Sequence, residues 1–428
     1  MTKTEKIHGW LSLSPLAVFL AVYLVSSLAA GDFYKVPVSA AFLVSSVYAL
    51  CISRGTFEER LSAFSSGAGD SNVLLMIWIF VLAGAFASTA GKIGAIEATV
   101  NLTMLIVPDR LLLAGLFLAS CFVSMSIGTS VGTIAALVPI SSALASQLGV
   151  QPAMMTAIIM GGAFFGDNLS FISDTTIAAT RTQGCSMSDK FKVNIAIAGP
   201  AAIITAGIYL FMGLGLGAAP EAGRVEWVKL VPYIVVMGLA LRGVNVAVAL
   251  CVGLALNLAI GLLWGDMGWL EFLGSAGEGI AGMGDLIIVT LLAGGMLALI
   301  RRGGGFEFMM KGLTSHIRGK RGAEGSIAAL VGFSNLCTAN NTIAIITAGG
   351  ISKSISERFS LDSRKVASIL DTFSCIVQCV IPYGAQMLMA SALSGVSPAS
   401  VIGCLYYPAV LLAMSVLAIV FRFPRRYS

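Results

Sequence analysis

Charge and histidine are what this sequence most lacks. Of its 428 residues, 11% are Asp, Glu, Lys or Arg, where soluble domains carry about a quarter. With 57% apolar residues and a mean hydropathy of +0.92, a water-soluble globule is excluded. Histidine occurs twice, as His8 and His316, both at expected aqueous edges. A histidine relay through the interior is therefore excluded, and any proton crossing this chain must travel on carboxylates. The eight cysteines are scattered singly, apart from Cys375 and Cys379 one helical turn apart. None has the Cys/His spacing of a zinc site, so they read as small buried apolar side chains, and no transition metal is expected. No Tyr-Asp dipeptide occurs. "GMGD", Gly282 to Asp285, fits one half of an intramembrane aspartyl protease pattern, but the absent Tyr-Asp partner removes that reading, and no enzyme is expected.

Long apolar runs are what the chain has in abundance. "VLLMIWIFVLAGAFAS" from Val73 and "VIGCLYYPAVLLAMSVLAIVF" from Val401 each cross or nearly cross a hydrocarbon core about 30 Å thick, at roughly 1.5 Å per residue. The N-terminal apolar stretch is long and a second follows at Val36, so it reads as a first spanning helix rather than a cleaved leader. The fold class is an all-α polytopic membrane protein.

Two parts of the chain share a layout. At an interval of 209 residues "TSVGTIA" (Thr129 to Ala135) falls on "TANNTIA" (Thr338 to Ala344), and "GDNLSFISDTT" (Gly166 to Thr176) on "CIVQCVIPYGA" (Cys375 to Ala385). At 210, Ala83 to Glu97 falls on Ala293 to Glu307. The expected organisation is two N-terminal spans (1–70), a first repeat (71–216), two linking helices (217–279), a second repeat (280–421) and a basic cytoplasmic tail (422–428). Each repeat holds an entry helix, an amphipathic arm, a re-entrant hairpin (111–145 and 325–356), a broken helix (152–180 and 363–392) and a further span. About 10 spanning helices and two hairpins result. Five crossings separate the two entry points, an odd number, so the repeats run in inverted topology, a recurring transporter architecture. With both termini inside, every Lys and Arg except Lys35, Lys92, Arg110, Arg224 and Lys229 is assigned to the cytoplasmic side, as the positive-inside rule requires. The net charge of +5 is accounted for by those loops, without a nucleic-acid partner. A bacterial cytoplasmic membrane is the expected location.

The polar residues inside this apolar chain cluster at a few points. Backbone leaves helical form at membrane depth only where protein or a wet cavity satisfies it. The hairpin tips are two such places, one with Thr129, Ser130 and Thr133, the other with Thr338, Asn340, Asn341 and Thr342. Helix N-termini and bare carbonyls there suit anions and small cations respectively, and neutral oxygens suit Na+. Close helix packing is the alternative use of such small residues. In "GDNLSFISDTT", a helix starting near Pro152 places Asp167 about 22 Å along, near the midplane. Asp174 follows seven residues later, on the same face if the helix continues. Asn168, Ser173 and Thr175 weaken the helix or add oxygens. A charged Asp at the bilayer centre costs about 3 kcal/mol on insertion scales and more without a partner, so the pair is expected to hold either a proton or a cation. Asp174 also suits the N-cap of the half-helix "TTIAAT". In the second repeat the interval of 209 sets Ile376 and Tyr383 opposite the two acids, leaving neutral ligands such as Tyr383 and Gln386. Asp371 is either a third titrating group or a hairpin anchor.

"GGAFFGDNLSFISDTT" resembles the NhaC-type sodium/proton antiporter family of the ion-transporter superfamily. Gly166, Asp167, Ser170, Ser173, Asp174, Thr175 and Thr176 match its Gly-Asp-Lys, Ser-Pro-Leu, Ser-Asp-Thr-Thr pattern. Asn168 stands for the usual Lys and Phe171 for the Pro, which removes a cation beside Asp167. The resemblance implies Na+/H+ antiport by alternating access, Na+ and H+ as the ions handled with no cofactor, and a homodimer of scaffold and moving domains. Na+- or H+-coupled transport of a small amino acid or carboxylate is the second expectation.

Overall fold

The computed structural model describes residues 3–30, 37–170, 173–215, 223–242, 244–265, 267–314, 317 and 319–427. Phe171 and Ile172, in the middle of the singled-out motif, lie outside the described residues, as do Lys35, His316 and Arg318. The protein is all-α, with no strand among the described residues. Seven stretches are long and apolar enough to cross a membrane, and it is an integral membrane protein.

The chain runs α1 (Lys3–Ala30), α2 (Val38–Ile52), α3 (Phe57–Ala68), α4 (Ser71–Lys92), α5 (Ala95–Ile106), α6 (Leu112–Ile127), α7 (Ser130–Leu148), α8 (Pro152–Leu169), α9 (Asp174–Gln183) and α10 (Met187–Gly213). It continues with α11 (Val231–Leu241), α12 (Val246–Trp264), α13 (Trp269–Gly282), α14 (Gly284–Arg302), α15 (Gly305–Thr314), α16 (Gly319–Thr338), α17 (Asn341–Phe359), α18 (Ser363–Val380), α19 (Ala385–Ser394), α20 (Pro398–Ile402) and α21 (Tyr406–Val420).

Helix caps give the internal register more sharply than residue identity does. Ser130–Leu148 recurs as Asn341–Phe359, Pro152–Leu169 as Ser363–Val380 and Asp174–Gln183 as Ala385–Ser394, each 211 residues on. The serine caps of α10 and α20 keep that interval: Ser186 accepts from Asp189 N–H and Ser397 from Ser400 N–H. The interval of 209 suggested by "TSVGTIA" and "TANNTIA" is therefore two residues short. The reason is local: hairpin geometry is set where α6 ends on Gly128 (φ +76°) and α16 on Ala339 (φ +49°), each followed by an extended N-cap, Thr129 or Asn340. The shared Thr-Ile-Ala letters lie two positions out of that register. At 211, Gln378 and Ala385 stand opposite Asp167 and Asp174, not Ile376 and Tyr383.

The recurring unit also begins earlier than 71 and 280. α2 and α3 pack on α14, while α12 and α13 pack on α4. Each half thus lends its amphipathic helix to the other half's entry helix. Gly67 meets the backbone of Gly294, and Gly84 that of Gly279, so closely that a Cβ at any of the four would collide. Such backbone contact is how membrane helices gain dispersion energy without a hydrophobic drive. The helices α2 and α3 of segment 1–70 and α12 and α13 of segment 217–279 thus pack in matching ways.

At the centre lie α8 and α18. Every residue of α8 from Met155 to Leu169 is buried, and α18 is nearly so. α7 is itself among the seven stretches of spanning length, yet its first residue reaches the end of α8 deep in the protein.

Candidate ion-binding site

Each of the two central helices breaks. α8 stops at Leu169 and α9 begins at Asp174; α18 stops at Val380 and α19 begins at Ala385. Ser170 and Ile381 leave helical φ/ψ at the breaks. Gly166 lets α8 press on Ser124 of α6 with no room for a Cβ, and Ser124 donates to the Ala163 carbonyl at 2.5 Å. Asn335 donates to the Ser374 carbonyl at 2.7 Å, the same contact 211 residues on.

The hairpin tips meet at Asp167, which is 5% exposed. Ser130, the first residue of α7, donates its N–H to Asp167 Oδ1 at 2.9 Å and its hydroxyl to Oδ2 at 2.5 Å. The carboxylate therefore sits on a helix N-terminus. Asn341, the first residue of α17, reaches Oδ2 from the other tip at 3.5 Å. A chain of amides leads away: Gln386 Nε2 donates to Ser130 Oγ at 3.2 Å, and Gln378 Nε2 to Gln386 Oε1 at 2.8 Å and to the Ala339 carbonyl at 3.0 Å. Thr175 donates to the Asp167 carbonyl at 3.0 Å and shares a hydrogen bond with Ser173 at 2.7 Å.

A second buried carboxylate, Asp371, lies beside this group and forms an ion pair with Lys190 of α10. Both side chains are fully buried. Lys190 spends its remaining donors on the Asn168 carbonyl (2.5 Å) and Thr176 Oγ1 (2.8 Å). Asn194, one turn along, donates to the Asn168 carbonyl at 3.0 Å and to its Oδ1 at 2.6 Å. Lys190 thus brings a buried cation to the Asn168 carbonyl and to Asp371. No cationic side chain among the described residues pairs with Asp167.

Of the residues expected from sequence, the fold brings Asp167, Ser130, Asn341 and Gln386 into one network, with Asn168, Ser173, Thr175 and Asp371 against it. Asp174 is not part of it. The helix does not run on to it: α9 starts afresh at Asp174, which is exposed and bonded to none of these groups. The expected Asp167/Asp174 pair is replaced by Asp167 and Asp371, contributed by different halves. Thr133 bonds its own helix at Thr129, and Thr338 bonds the Asn340 carbonyl. Asn340 caps Ile343 N–H, Thr342 is half-buried, and Tyr383 donates to the Leu336 carbonyl at 2.7 Å. Lys190, Asn194 and Gln378 were not singled out by sequence. Lys190 was assigned to the cytoplasmic loops, and so was Lys365, which is buried against Glu324 at 3.0 Å. An i, i+4 Lys/Asn pair heading an apolar helix was the available signal.

Residues 7–214 and 223–423 match the Na+/H+ antiporter family, and the gap between the two matched stretches falls between α10 and α11. The chain is 22% identical to the malate-2H(+)/Na(+)-lactate antiporter of Bacillus subtilis, over 95% of this chain and 94% of that protein. It is 24% identical to the Na(+)/H(+) antiporter NhaC of the same organism, over 76% and 78%. Among solved structures, the YdaH transporter of Alcanivorax borkumensis covers 86% of this chain and 89% of its own, at 14% identity and a TM-score of 0.42. With the matched stretches reaching nearly end to end, the chain belongs to the Na+/H+ antiporter family.

Proposed function

We propose that the protein exchanges Na+ for H+ by alternating access, with Asp167 as the acid that holds one or the other. The observation that carries this is the unequal treatment of two buried carboxylates. Asp371 is neutralised by Lys190, whereas Asp167 meets only neutral donors. An unpaired charge at this depth costs several kcal/mol, so Asp167 rests only with a proton or a cation. Na+ there would find the Asp167 carboxylate oxygens together with Ser130 Oγ, hard oxygen ligands.

Ser130 links occupancy to shape. Its hydroxyl donates to Asp167 while accepting from Gln386. A proton on Asp167 Oδ2 reverses that donation, turns the hydroxyl, and disturbs the Gln386–Gln378–Ala339 chain that ends on the second tip. Release of one ion is thereby felt in both hairpins, the elements that alternate access requires to move. The chemistry is transport rather than catalysis. The same reading places the protein in the bacterial cytoplasmic membrane with both termini inside, as a homodimer.

The test uses protein in liposomes with a trapped pH dye and pulses of NaCl or KCl at equal ionic strength. Na+ alone is expected to change the internal pH, and Asp167→Asn to abolish the change. A D167N protein exchanging at the wild-type rate sinks the proposal.

A further inference from the structure

A cavity of about 270 Å³, with room for several water molecules, lies between α14, the second hairpin tip and the break before α19. Asp70 and Arg301, both exposed, mark its outer end. Thr290, also on its wall, is buried and lies back along α14 by roughly 16 Å, at about 1.5 Å per residue. The tip and the break contribute Ala339, Asn340 and Ala385. Each of these is one step from the Asp167 network. Asn341, beside Asn340, reaches the carboxylate itself; Gln386, beside Ala385, bonds Ser130; and Gln378 holds the Ala339 carbonyl. A layer of amides thus stands between the cavity and the acid.

The polarity of the wall has a sign. Its three hydroxyls spend their protons on main-chain carbonyls: Thr290 on Leu286 at 2.8 Å, Thr338 on Asn340 at 3.0 Å and Tyr383 on Leu336 at 2.7 Å. What each can still offer is an oxygen lone pair, which suits a cation and not an anion. The other half treats the like place differently. α4 and α14 end 210 residues apart, at Lys92 and Arg302, which sets Phe80, fully buried, opposite Thr290. Ser88, opposite the cavity residue Ala298, bonds Ser275 of α13 at 3.0 Å.

We propose that this cavity is the aqueous approach along which hydrated Na+ reaches Asp167, while Phe80 closes the matching approach beside the first tip. The inference deepens the exchange reading and rests on it. With both termini inside, the open end at Arg301 faces the cytoplasm. The chain of bonds that answers to a proton on Asp167, through Ser130, Gln386 and Gln378, ends on Ala339, itself a cavity residue. Occupancy of the acid is thereby felt at the wall of its own approach.

The experiment treats Thr290→Cys with a membrane-impermeant, positively charged methanethiosulfonate in inside-out and in right-side-out membrane vesicles. Labelling at position 290 is read by mass spectrometry. Thr290→Phe, which copies Phe80, is assayed in liposomes for sodium-driven pH change beside the wild type. Labelling is expected to be at least tenfold faster in inside-out vesicles, and to slow exchange by a similar factor. T290F is expected to exchange at least tenfold more slowly at an unchanged melting temperature. Labelling no faster from the inside, or a T290F protein that folds and exchanges at the wild-type rate, overturns the proposal. If T290F does not fold, the labelling rates decide alone. A wild type that keeps its sodium-driven pH change in those cases leaves the exchange reading standing without this route; a wild type that shows none removes both.

Discussion

The two broken helices share a backbone and differ in chemistry. α8–α9 and α18–α19 start, stop and restart at matching points, yet Asp167 on one side answers to Gln378 on the other, and Ser130 answers to Asn341. The Lys190–Asp371 ion pair has its counterpart in Val401 and Met160, both fully buried. One half therefore supplies a carboxylate and the other a neutral amide at the same point of the fold. The lesson is that the shared scaffold provides tips, breaks and freed backbone groups, and a handful of unlike side chains decides what is held there.

The sharpest way to break the comparison is to make the halves alike. Asp167→Gln, copying Gln378, is expected to remove all Na+-dependent pH change in liposomes while the protein still purifies and melts cooperatively. Next comes the ion pair. Lys190→Val leaves Asp371 buried and unpaired, which costs about 3–5 kcal/mol and is read as a large fall in melting temperature. Adding Asp371→Met, so that the site copies Val401 and Met160, is expected to restore most of it. A double variant no more stable than the single one would contradict the neutralising role given to Lys190. Smaller is the effect of Gln378→Ala. Losing its two hydrogen bonds in the chain to the second tip, at about 1 kcal/mol each, is expected to slow exchange by about ten- to thirtyfold without loss of fold. Smallest of all is Asp174→Asn, expected to exchange near the wild-type rate because the side chain faces outward from the network. A D174N protein that fails to exchange would return Asp174 to the site.

These expectations mark what the sequence made legible. Asp167 stood out because a charge in an apolar run, beside Gly166 and Asn168, has no cheap structural explanation. The hairpin tips stood out through their Gly, Ser, Thr and Asn content. Lys190 did not, since a lysine three residues into a helix looks like any interfacial anchor until the helix is seen to carry it inward. Asp174 misled because seven residues mean one face only on an unbroken helix. The register slipped because identity follows side chains, whereas the match between the halves lies in where caps and left-handed residues fall. The reach of the repeat was hidden for a related reason: α3 and α13 are recognisable as partners only through glycine backbones they touch far along the chain.

That exchange of helices has a consequence for how the protein is made. α4 leaves the ribosome long before α13, which covers its Gly84 face. Throughout synthesis of the intervening chain, the first half stands in the lipid with its glycine seam unclaimed. The two halves are clasped rather than stacked, so the seams close only when α13 and α14, the later partner in each, have been inserted.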